Sequence, residues 1–312
     1  MIRYLILRLI GMLATLFFIV SLVFFITSAA MNIIWSPHGP FIDGIYLAWD
    51  QYISYLTNVF TQWDWGTTGI YRLPVWDVVL AKAPLTLKIN LIVFFLYVTI
   101  GIALGIISAK RKHSFTDKTI SVVTLMYSSL PSFILIFPLI VVLGFRWGIV
   151  PWRYPLYLDG FAQMVGLLIP LLALSGQPIA TLTRAVRAEL LENFDSEYYL
   201  LAKTKGLKTN QRLYRHALRN SMVPILPQIP AIFAVVLLNS FFVEVVYNVP
   251  GVAKLFLDSM YQPMMDTGYF DIQPHVVTVI ACFYAIIHLS ITLIMDVSLA
   301  FVDPRIQIIG KQ

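Results

Sequence analysis

The sequence has 312 residues, 59% hydrophobic and only 12% charged, with a net charge of +6. Soluble domains carry roughly a quarter charged residues, so an ordinary cytosolic fold is excluded. The basic residues are spread over loops without stacking partners, which excludes nucleic acid as the reason for the charge and points to membrane topology.

Six stretches carry no charge: Leu9 to Ile42, Ile89 to Ala109, Thr119 to Phe145, Gly160 to Thr183, Asn220 to Val243 and Ile272 to Met295. A helix rising about 1.5 Å per residue crosses a ~30 Å hydrocarbon core in about 20 residues, and each stretch is long enough. Lipid tolerates no unpaired backbone, and none of the runs shows the short alternation of a barrel strand. The expectation is an all-α polytopic membrane protein with six transmembrane helices. An even number of spans puts both termini on one side. Sixteen Lys and Arg fall on that side, among them Arg3, Arg8, Lys110 to Lys112, Arg184, Arg187, Arg219, Arg305 and Lys311. Six fall opposite, namely Arg72, Lys82, Lys88, Arg146, Arg153 and Lys254, so the termini are read as cytoplasmic.

Residues 1–31 read as the first transmembrane helix. Its end, Ser28-Ala29-Ala30, has the small residues of a signal cleavage site, but its apolar core exceeds the ~7 to 15 residues of a signal peptide, so an uncleaved span is expected. Residues 32–88 form an extracellular segment. Its Trp35, Trp49, Tyr52, Tyr55, Trp63, Trp65 and Trp76 suit rings placed at headgroup depth. Residues 89–303 hold the other five spans. A compact Lys110 to Lys118 connection and a short outer loop with Trp147, Pro151, Trp152 and Pro155 separate the first of these. Asn248-Val249-Pro250-Gly251 is a turn signal, and Val252, Leu255, Phe256 and Met260 follow at helical spacing. Cys282 lies in the last span, where a lone thiol reads as packing. Asp303-Pro304-Arg305 reads as a helix stop before a cytoplasmic tail, residues 304–312.

The inner loop, residues 184–219, is the most informative segment. It holds eight Lys and Arg, the acids Glu189, Glu192, Asp195 and Glu197, and no Pro, so it can be helical over much of its length. Ser196 can cap a short helix that Gly206 ends in a left-handed conformation. Ala202 and Gly206, four apart, would let a partner surface approach closely, and Tyr198, Tyr199 and Leu201 supply apolar anchors. The alternative is a solvated hairpin that only obeys the positive-inside rule.

Ala202-Lys203-Thr204-Lys205-Gly206-Leu207, then Arg215-His216-Ala217-Leu218-Arg219-Asn220 and Pro224, resembles the cytoplasmic signature of binding-protein-dependent ABC importer permeases. The match is closest to the B-type subunit of the oligopeptide and dipeptide subfamily. Pro74-Val75, Thr86-Leu87, Glu244, Pro250-Gly251, Asp296 and Asp303-Pro304-Arg305 follow the family order over essentially the whole chain. Leu200 and Leu201 stand where the general signature has Glu and Ala. Asp64-Trp65-Gly66 stands where the family has Asp-Leu-Gly.

The resemblance implies a type I ABC importer permease fold and a short helix that docks on a cytoplasmic ATPase through Glu197, Tyr198, Tyr199, Leu201, Ala202, Lys203, Gly206, His216, Arg219 and Asn220. It also implies a homologous second permease, two ATPase subunits, an extracellular substrate-binding lipoprotein and a peptide substrate. The chain has no phosphate-cradling Gly-rich loop, so no cofactor is expected in it; ATP and Mg would be bound by the partner ATPase subunits. Ser128, Ser129, Ser175, Gln177, Gln228, Asn239, Ser240 and Glu244 are pathway candidates, each equally readable as a hydrogen bond between helices. Glu244 and Asp296 are the acids nearest the span ends. Competing readings are an ion-coupled secondary transporter, an importer of nickel or glutathione, and a hydrolase pairing Ser175 with His288, whose sequence context lacks a nucleophile elbow.

Overall fold

The computed structural model describes residues 2–35, 41–68, 72–157, 160–260 and 273–302. Along it run α1 (Ile2–Trp35), α2 (Phe41–Gln62), α3 (Val75–Lys110), α4 (Phe115–Ser129), α5 (Ser132–Leu139), α6 (Gly160–Gly166) and α7 (Leu168–Phe194). After them come α8 (Glu197–Thr204), α9 (Thr209–Gln211), α10 (Leu218–Ile225), α11 (Gln228–Val246), α12 (Val252–Met260) and α13 (Pro274–Val302). Asp303-Pro304-Arg305 and the tail lie outside the described residues, as does the side chain of Trp35.

Among the described residues, five helical stretches are long and apolar enough to cross a membrane: α1, α3, the α6–α7 run, α11 and α13. The sixth expected span, Thr119 to Phe145, is not one straight helix. α4 and the stretch Ser132–Arg146 form a pair bent by 99°. Pro131 has no N–H and crowds its predecessor, so Leu130 leaves the helix at φ −115° and ψ 122°. Beyond Pro138 the helix widens into a π-helical stretch, Ile140–Arg146. α3 also differs from expectation, starting at Val75 rather than Ile89. Lys82 and Lys88 end a charge-free window, but lysine is a good helix former and its long stem can carry the ammonium away from apolar surroundings.

The helices form two compact units. One contains Lys88–Tyr247 and the chain from Ser290. Here α3 and α7 meet at two glycines four residues apart: a Cβ on Gly101 would lie 3.0 Å from Leu182, and one on Gly105 2.6 Å from Val186. Small residues at this spacing let two helix backbones approach closely. Tyr97 is fully buried and donates its hydroxyl to the Ile229 carbonyl at 3.1 Å, while Phe94 meets Phe233 edge-on at 5.5 Å.

The other unit contains Ile2–Leu87 and Asn248–Leu289. α2 runs antiparallel to α1: Asn32 bonds Gln51 at 3.1 Å, Tyr52 bonds Ser21 at 2.9 Å, and Phe17 meets Phe60 at 6.4 Å. Val20, Phe24, Tyr55, Val59 and Cys282 form its core, with Trp65 and Trp76 packed against it. Cys282 is thus a packing residue. Tyr55, Trp65 and Trp76 pack within this unit, while Trp49 and Trp63 stay exposed. The turn signal before Val252 is followed by helix α12, whose first N–H is met by Thr86 Oγ1 at 2.9 Å.

Candidate functional sites: the basic loop and a polar groove

α7 runs well past its apolar stretch and carries Arg187, Glu189 and Glu192 out to Phe194. The chain then turns at Asp195, and Ser196 takes the extended conformation of a helix cap. Its hydroxyl does not cap α8; it donates to the Asn193 carbonyl at 2.6 Å. α8 has Glu197 in its first turn and Lys203 in its last, both favourable to the helix dipole. Its end is a complete Schellman motif. Gly206, at φ +73°, donates to Lys203 at 3.0 Å, and Leu207 donates to Ala202 at 3.3 Å.

The short helix is held against the rest of the loop on one side. Tyr199 packs on Phe194 with ring centroids 5.1 Å apart, and the Arg212 guanidinium lies 5.4 Å from the Tyr199 ring. The Tyr198 hydroxyl bonds Asn193, whose amide bonds the fully buried Ser221 at 2.9 Å. Ala202 belongs to this inner side. It is 6% exposed, so it faces the loop's own interior and not a partner, contrary to the spacing argument. Its small size serves packing within the loop. The outward face carries Leu200 at 50% and Leu201 at 55% exposure, flanked by exposed Glu197, Lys203 and Lys205. Gly206 is exposed and has open space around its Cα. His216 is half-buried within the π-helical turn Arg212–Ala217, and Arg219 and Asn220, beyond it, are exposed.

Behind the loop sits a clamp that sequence reasoning did not single out. Arg187 grips Asp117 with two hydrogen bonds, both 2.8 Å, joining α7 to the start of α4. Asp117 is 3% exposed and also accepts from Ser108 at 2.5 Å and from the His113 N–H at 2.9 Å. The partners are 70 residues apart, so no local signal reveals the pair.

The polar candidates separate into distinct groups. Gln177, Gln228 and Asn239 line a groove of about 460 Å3 between α7 and α11. Thr181 joins them there, and was missed because a threonine in a span usually bonds its own helix, as this one does to the Gln177 carbonyl at 3.0 Å. Gln177 Oε1 accepts from Ser132 at 3.3 Å and Asn239 at 3.5 Å, so one amide ties α5, α7 and α11 together. No charged side chain lines the groove among the described residues. Ser128 and Ser129 donate to carbonyls one turn back in α4, and Ser240 to Leu237 in α11. Ser175 is buried outside the groove lining. Glu244, another pathway candidate, is fully buried in α11.

The sequence is similar to those of known proteins. The chain is 30% identical to the dipeptide transport system permease protein DppB of Lactococcus lactis subsp. cremoris, over 99% of this chain and all of that one. It is 31% identical to the oligopeptide transport system permease protein AppB of Bacillus subtilis, over 82% and 80% of the two chains. It is 27% identical to the oligopeptide transport system permease protein OppB of Escherichia coli K12, over 83% and 87%. Residues 101–308, two thirds of the chain and the part that contains the clamp, the loop and the groove, match one family. By that match the chain is a multi-pass membrane protein of the family of binding-protein-dependent transport system inner membrane components, the permease subunits of ABC importers.

Proposed function

We propose that this permease carries short peptides across the cell membrane as half of a permease pair, driven by two cytoplasmic ATPase subunits. These bind the ATP and magnesium, and an extracellular lipoprotein delivers the cargo. α8 is the docking element. The observation that carries this reading is the exposed Leu200–Leu201 pair on a helix closed by a Schellman motif and held by Tyr199 against Phe194. In a basic loop, two adjacent apolar side chains held out in water fit a hydrophobic cleft on a partner, with Glu197, Lys203 and Lys205 as its polar rim.

The groove supports the choice of cargo. Gln177, Gln228, Asn239 and Thr181 can exchange hydrogen bonds with a peptide backbone, and an uncharged lining holds no side chain of either sign tightly. The three relatives are named for dipeptide or oligopeptide transport.

The test is reconstitution of the chain with its co-purifying subunits in liposomes, followed by ATP-dependent uptake of a labelled dipeptide and a labelled pentapeptide. Uptake of either that is abolished by Leu201→Glu, with the variant still inserted, is the expected result. Uptake that continues without ATP, or the absence of any ATPase among the co-purifying proteins, overturns the reading in favour of an ion-coupled carrier.

A further inference from the structure

The loop after Arg146 connects two membrane-crossing stretches, the bent pair and the α6–α7 run, which keeps it near one membrane surface. Its backbone is fixed. The Trp147 N–H donates to the Val142 carbonyl at 3.0 Å, and those of Ile149 and Val150 both donate to Leu143, at 3.0 and 3.3 Å. Tyr154 is buried and donates its N–H to the Tyr247 carbonyl at 3.0 Å, while the Tyr247 hydroxyl donates to the Pro151 carbonyl. A Cβ on Gly144 would lie 2.9 Å from Trp152 Cα, so the returning chain lies directly on the end of the helix that leads into the loop.

The side chains that this frame turns outward are apolar and basic. Phe145, Trp147 and Ile149 are more than half exposed and Trp152 nearly half. They continue a line of exposed Phe137 and Val141, four residues apart along α5 and its π-helical extension. Phe145 stacks on Trp152 with ring centroids 5.3 Å apart, and the Arg153 guanidinium lies 4.8 Å from the Trp152 ring. Arg146 follows the other ring of the stack in the chain. Arg146 and Arg153 are the only charged residues between 119 and 158, and neither has a carboxylate partner among the described residues. Two observations thus identify the occupant. An exposed apolar line that ends in tryptophans beside a spanning stretch fits the depth of lipid headgroups. Two guanidiniums without a counter-ion at that depth call for an anion.

We propose that this loop binds the headgroup of an anionic phospholipid. Arg146 and Arg153 bond its phosphate, Trp147 and Trp152 take the glycerol ester region, and Phe145 and Ile149 meet the first methylenes. Arginine suits the role because its planar fork pairs with two phosphate oxygens while its face stays stacked on a ring. The backbone is already held, so little ordering is left to oppose binding. The site goes beyond the transport reading and stands without it, because lipid binding needs neither ATP nor a partner subunit.

The experiment uses the purified full chain in phosphatidylcholine liposomes that carry a minor share of dibrominated phosphatidylglycerol or, as control, of dibrominated phosphatidylcholine. Bromine quenches tryptophan on contact. The emission lost in Trp147→Phe/Trp152→Phe protein isolates these two rings from the other tryptophans. At equal mole fraction phosphatidylglycerol should quench them with a relative association constant at least about fivefold higher, since one basic residue near a membrane surface contributes about that factor. Arg146→Gln/Arg153→Gln, which keeps both reporters, should bring the ratio close to one. Equal quenching by the two lipids in the wild type overturns the proposal, as does an undiminished preference in folded Arg146→Gln/Arg153→Gln protein. Quenching of the two rings by aqueous iodide and by neither lipid also overturns it, and assigns the loop to a water-borne protein partner. Failure of ATP-dependent uptake leaves it untouched, so the two readings fall separately.

Discussion

Gly206 carries a conformational demand that another residue meets only with strain. Its φ of +73° is left-handed, and the Schellman bonds to Ala202 and Lys203 depend on it. Gly206→Val should cost about 1–2 kcal/mol locally by forcing a branched side chain into that region. Space is not the obstacle, since a Cβ there meets nothing. The variant should therefore insert and fold while ATP hydrolysis loses its coupling to uptake; wild-type uptake would show that the end of α8 tolerates remodelling. At Asp117 the stakes are different. Asp117→Asn leaves the Arg187 guanidinium without its counter-charge in a largely buried site, and loss of about 2–3 kcal/mol is expected. Adding Arg187→Met should recover part of that loss in a double-mutant cycle read by thermal unfolding in detergent. Additive losses would mean that the two side chains do not act as a pair.

At the scale of elements, the α3–α7 contact depends on the absence of side chains. Gly105→Leu would drive atoms into Val186 and the Thr183 carbonyl, which an added Cβ would already meet at 2.6 and 2.9 Å. A loss of about 1–3 kcal/mol is expected, seen as a lower melting temperature in size-exclusion profiles of heated samples. Gly11→Leu on α1, where a Cβ meets nothing, is the matching control and should be near neutral. Long apolar runs made most of these elements legible in the sequence. The helix end at Gly206 was legible too, because glycine after a short helix has a specific backbone meaning. The bend at Pro131 carried a local signal, but charge-free windows do not weigh proline. The inward direction of Ala202 carried no local signal at all: which side of an eight-residue helix is buried depends on Phe194, Tyr199 and Arg212 meeting in three dimensions. The same holds for the groove, where Gln177 draws Ser132 and Asn239 across from other helices while Gln228 bonds the Pro224 carbonyl one turn back.

For the whole molecule, the distribution of lysine and arginine predicts opposite sides of the membrane for α2 and α8. In intact cells carrying Cys282→Ala, a membrane-impermeant maleimide should label Thr57→Cys on exposed α2 directly. It should label Lys203→Cys on α8 only after permeabilisation. Equal labelling of both before permeabilisation would refute the topology and with it the docking of α8 on a cytoplasmic ATPase.

The position of α8 in the chain has a mechanical consequence. It follows α7 after a two-residue turn, and α9 and α10 lead from it to α11, while Phe194 and Arg212 hold Tyr199 from either side. α7 and α11 are the two walls of the polar groove. On the proposed docking of α8, a displacement applied at that one small surface would pass along the chain to both walls at once.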